Sequence, residues 1–75
     1  MYPVIARETG TQGTVVVEAT ISTTGRIENA RAVSGPPLLV HAAVEAVREA
    51  RYRPFLLNGT PVDVETTIQV VFTRN

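Results

Sequence analysis

The sequence predicts a small α+β domain that runs helix, strand, strand, helix, strand, with a helical layer on one face of a three-stranded antiparallel sheet. Three observations carry this reading. Residues 14–22 and 62–72 alternate apolar and polar side chains, the period of strands with one dry face and one wet face. Between them, residues 39–50 repeat apolar positions at spacings of three and four, the stripe of a helix lying on a surface. A chain of 75 residues holds one domain with a thin core, so residues 1–75 are read as a single unit.

Each element has its own signal. Pro3 suits a first helical turn, which predicts a short helix over residues 3–9 ended by Gly10. GTVVVEATIS sets Val15, Val17, Ala19 and Ile21 on one face and Thr14, Val16, Glu18, Thr20 and Ser22 on the other. TTGR is a turn around Gly25. In RIENARAVS, Ile27 and Val33 fall in one phase and Ala30 and Ala32 in the other, so a bulge near Glu28 or Asn29 is expected. Ser34 and Gly35 are candidate caps for the long helix, and Pro36 and Pro37 fit only its start. Leu39, Ala43, Ala46, Val47 and Ala50 form its stripe, and Pro54 is its expected stop. Arg48, Arg51 and Arg53 gather at its end, where cations complement the helix dipole. Asn58-Gly59 inside FLLNGTPV predicts a tight hairpin, and Pro61 confines it to a sheet edge or a projection. The last strand is expected over residues 62–73, with Val62, Val64, Thr66, Ile68, Val70 and Phe72 facing the core.

The topology follows from patterning. The first strand has the most continuous valine run and belongs in the centre. The third returns after a right-handed helical crossover to lie antiparallel on its free side, which gives the strand order 2-1-3. The last strand is therefore an edge.

Composition narrows the function. The formal net charge is zero, and the wet face of the last strand shows Asp63, Glu65, Thr67 and Gln69, so nothing favours nucleic acid. All seven basic residues are arginine, and there is no cysteine. No run of about 20 apolar residues is present to span a bilayer. The sole histidine, His41, has no second ligand in helical reach, and no set of metal ligands converges. Ser22 and Ser34 have no partnering histidine, and the glycines follow no phosphate-loop pattern. Glu45 and Glu49, with Arg48 and Arg53, read as a solvated helix face. The expectation is a protein that is not an enzyme and carries no cofactor or metal.

What remains is the edge. Exposed edges are usually blunted by charge, proline or bulges. Pro61, Asp63 and Glu65 blunt the start of the last strand, whereas residues 66–72 carry neither charge nor proline. That half can accept another strand, or pair with its twin.

The ordered set of Tyr2-Pro3, a short helix with Ala6-Arg7, QGTVVVEATIS, TGRIENARAVSG, AAVEAVREARYRP and a final strand ending at Phe72 resembles the C-terminal domain of TonB-family energy-transducing proteins. The resemblance implies two helices on one face of a three-stranded antiparallel sheet. It also implies a periplasmic domain of a longer protein anchored in the inner membrane of a Gram-negative bacterium. Such a domain captures the TonB-box peptide of outer-membrane receptors by strand addition. The missing N-terminal part would contact an inner-membrane proton-channel complex, coupling the proton-motive force to active transport. Mapped here, the peptide-binding edge is Glu65, Thr66, Thr67, Ile68, Gln69, Val70, Val71 and Phe72. The FLLNGTPV hairpin is longer than in the best-known members. Short fragments of the family form intertwined dimers on the same edge, which leaves a self-associating envelope module as the alternative.

Overall fold

In the computed structural model, which describes residues 11–73, the chain runs β1 (Gly13–Ile21), β2 (Ile27–Ser34), α1 (Pro37–Glu49), β3 (Phe55–Leu57), β4 (Thr60–Val62) and β5 (Val64–Phe72). Strands β2, β1 and β5 form one antiparallel sheet in that order, with β1 in the centre. This is the strand order that the valine run of β1 predicted. The short helix expected over residues 3–9 lies outside the described residues, so one helix covers the sheet here.

The core is where the two apolar periods meet. Val15, Val17 and Ala19 point from alternate positions of β1, and Leu39, Ala43 and Val47 point from every fourth position of α1. Phe72 closes the cluster from the end of β5. Ala46 and Ala50, expected in the same stripe, sit at its half-buried margin.

β2 meets this core only because it is bulged. Thr20 faces Asn29 while Ile21 faces Ile27, which leaves Glu28 as the extra residue, as the mixed phase required. A second slip comes at the far end, where Val16 faces Ser34 and Val17 faces Ala32. Val33 is the residue left over there, and it ends up exposed while Ala30 and Ala32 turn inward.

The helix ends differ from expectation. Pro36, rather than Ser34 or Gly35, is the cap residue, and no side chain bonds the first turn. Ser34 is held in β2 opposite Val16, out of capping reach, and the Leu39 amide donates to the Pro36 carbonyl instead (2.9 Å). At the other end α1 stops at Glu49, well before Pro54, with Ala50 already extended. Arg51 and Arg53 therefore lie beyond the helix, so the expected face joining Glu49 to Arg53 does not form there. The cause is a competing bond: the Tyr52 amide donates to the Gly25 carbonyl (2.9 Å), pulling the chain onto the β1–β2 turn. The last regular bond runs from the Ala50 amide to the Ala46 carbonyl (3.2 Å). Two carbonyls beyond it find other donors, Val47 the Tyr52 hydroxyl (3.4 Å) and Glu49 the Arg51 guanidinium (3.3 Å).

Burial raises the Tyr52 hydroxyl pKa above its ordinary value of 10.0. The folded state thus favours neutral Tyr52, and its contribution is complete below pH 10. The unfolded chain ionises first as the pH rises, so this contribution is lost on passing through the folded pKa. Tyr52→Phe is expected to cost about 0.5 kcal/mol at pH 7, for one long hydrogen bond. It should also flatten the decline of melting temperature above pH 10, read by circular dichroism across an alkaline series.

The β1–β2 turn is the junction of the fold. The Gly25 amide donates to the Ser22 carbonyl (3.0 Å) and the Ser22 amide to the Arg26 carbonyl (2.8 Å), a tight turn closed by Gly25 at φ 83°. The buried Ser22 hydroxyl accepts from the amides of Thr24 (3.3 Å) and Arg26 (3.2 Å). The Thr23 amide donates to the Asp63 carboxylate (3.1 Å). This last bond breaks the strand expected over residues 62–73. Val62 belongs to β4, Asp63 turns toward Thr23, and β5 begins at Val64.

β3 and β4 form a separate two-stranded sheet around Asn58-Gly59, both with positive φ (50° and 81°), the turn that this dipeptide favours. The pair contacts mainly itself and projects from the domain.

Candidate functional site

β5 lies flat along β1. Its ladder is regular from Gly13 opposite Phe72 to Ile21 opposite Val64, with no slip. One backbone side of β5 is used in this pairing. Among the described residues, no strand lies beyond β5 on its other side.

The residues singled out from the sequence are all on this strand. Glu65, Thr67, Gln69 and Val71 face outward and are exposed, Val71 most clearly at 62%. Thr66, Ile68 and Val70 face the helical layer and are half-buried, and Phe72 is buried. α1 sits over β2 and β1 more than over β5, so among the described residues β5 is the strand that the helix covers least. The blunting expected from Pro61 and Asp63 acts outside this strand. Pro61 is in the hairpin and Asp63 is tied to the β1–β2 turn, so Glu65 is the one charged residue of β5.

The sequence-derived alternatives do not converge. His41 is exposed on α1. Among the described residues, no group of three or more histidine, cysteine, aspartate or glutamate side chains could hold a metal ion. Arg48, Arg51 and Arg53 are all exposed. An open depression at one end of the sheet is lined by Glu18, Arg31, Arg48, Glu65 and Thr67 among others. Its Arg31 is already paired with Glu18 across the strands at 2.7 Å. That exposed pair is worth at most about 1 kcal/mol. Its formation depends on register, which sets Glu18 opposite Arg31 only with the Glu28 bulge in place, so neither residue signals it locally.

This arrangement offers main-chain hydrogen bonding along an edge rather than reactive side chains. Residues 1–73 match the family described as "Gram-negative bacterial TonB protein C-terminal". The chain belongs to this family. It is 33% identical over 73 residues to Protein TonB of Vibrio cholerae serotype O1, a match covering 95% of this chain and 30% of that protein. The chain thus spans less than a third of the length of this relative. In this TonB C-terminal domain, β5 is the third strand of the main sheet, and the Asn58-Gly59 hairpin lies between α1 and that strand.

Proposed function

We propose that this TonB-family domain binds an extended peptide along the outer side of β5 by strand addition. The peptide is the TonB box of an outer-membrane receptor. Within a longer protein anchored in the inner membrane, the domain works in the periplasm and passes energy from a proton-channel complex to active transport. The observation that carries this reading is the nine-residue edge of β5, regular on its β1 side and bearing one charge. Main-chain bonds supply affinity and flanking side chains set register. Four to six such bonds, at about 0.5–1.5 kcal/mol each less the cost of ordering the peptide, give a roughly micromolar complex.

Titrating isotope-labelled domain with an eight-residue TonB-box peptide tests this. Amide shifts are expected to concentrate between residues 64 and 71. Saturable binding whose shifts avoid β5, or no binding at millimolar peptide, contradicts it.

The same edge supports a second reading, pairing with a second copy of the chain across a two-fold axis. Val71, exposed on that strand, favours it. Light scattering over a concentration series separates the two, since a monomer at every concentration removes the dimer.

A further inference from the structure

The β3–β4 hairpin presents the most concentrated apolar surface among the described residues. Phe55, Leu56 and Leu57 are consecutive and are 51%, 56% and 59% exposed. Phe55 and Leu57 lie on one face of the hairpin and Leu56 on the other, so neither face is buried. No residue from 55 to 62 is charged. A two-stranded hairpin is marginal on its own in water. This one is held by its Asn58-Gly59 turn and by the anchoring of Asp63 to Thr23.

Its position says what meets it. One residue separates the end of β4 at Val62 from the start of β5 at Val64. A peptide paired along β5 that continues past Val64 therefore reaches the hairpin within a residue or two, at about 3.3 Å per residue. The hairpin adjoins the proposed peptide edge along the chain, and its lack of charge fits an uncharged apolar segment.

We infer that the hairpin is a second subsite for the same peptide: it receives an apolar flank that extends beyond the strand bound to β5. This rests on the strand-addition reading and adds to it a preference for long peptides with Leu- or Phe-type residues outside the box. Phe55 and Leu57, which share one face of the hairpin, are the contacts that would set this preference.

The test compares an eight-residue TonB-box peptide with two longer ones, carrying Leu-Ser-Leu at the N-terminal or the C-terminal end. Using both ends covers either strand direction. One extended peptide is expected to bind about tenfold more tightly than the short one, with amide shifts at residues 55–62. In the double variant Phe55→Ser with Leu57→Ser, the gain should shrink to less than twofold while the short peptide binds as before. The Thr60 amide signal reports that the hairpin is still formed; if it is not, Leu57→Asn alone replaces the double variant. Equal affinity for all three peptides, with shifts on β5 but none in the hairpin, overturns the subsite and leaves strand addition standing. Absence of β5 shifts with every peptide overturns strand addition itself. Hairpin shifts that depend on protein concentration without peptide assign the surface to a second copy and overturn the subsite.

Discussion

Gly25→Ala is expected to lower the melting temperature by roughly 10–20 °C, at about 4–8 °C per kcal/mol for a domain of this size. Two costs add. Gly25 sits at φ 83°, where a residue with a β-carbon loses about 1–2 kcal/mol. That carbon would also run into the Tyr52 carbonyl oxygen, so the loop after α1 must move away. Moving it breaks the bond from the Tyr52 amide to the Gly25 carbonyl, worth about 0.5–1.5 kcal/mol. The total, about 2–3 kcal/mol, is large against the few kcal/mol that a small core supplies. Gly59→Ala is the matched control. Gly59 has nearly the same φ, 81°, but nothing within 4 Å of an added β-carbon. It should pay the backbone cost alone, and that within the hairpin. Similar melting curves for the two variants would show that the Gly25–Tyr52 contact does not hold the fold.

The second large effect concerns the edge. Thr67→Pro and Val70→Pro lie three residues apart on β5, so their amides point to opposite sides of the strand. The Val70 amide, opposite Val15, serves the β1 ladder and the Thr67 amide faces outward. Proline at Val70 removes a ladder bond and inserts a ring into the β1–β5 contact, and this variant is expected to melt far below wild type. Proline at Thr67 leaves the ladder intact and stays folded, as proline does on edge strands. It should nonetheless bind the TonB-box peptide at least tenfold more weakly, because a donor is gone and the ring blocks close approach. Wild-type affinity in the folded variant, measured by calorimetric titration, would place the peptide elsewhere.

Much of this fold was legible because it rests on short-range pattern. The alternation in β1, the stripe of Leu39, Ala43 and Val47 and the Asn58-Gly59 turn each need only the period of one element. The Glu28 bulge was legible for a related reason, since Ile27 and Ala30 cannot share a face without it. The failures are all long-range. The early end of α1 depends on a bond between Tyr52 and Gly25. The break before β5 depends on Asp63 reaching Thr23, forty residues away in sequence. Nothing local in either segment announces these partners. The second bulge, which exposes Val33, was hidden because the mixed phase of β2 was already explained by the first. For the candidate edge, the position of the strand in the sheet was legible and its limits were not. Topology places the edge, but Pro61 and Asp63, which its local sequence suggests as guards, belong to the hairpin and the turn.

The central claim is that β5 offers its backbone, and the most direct measurement is the set of proton–proton contacts between bound TonB-box peptide and labelled domain. Strand addition predicts main-chain contacts from successive peptide residues to alternate residues of β5 between Val64 and Val71, in one register. Contacts confined to side chains on the outer face of the sheet or on α1, with no main-chain contact to β5, would contradict it.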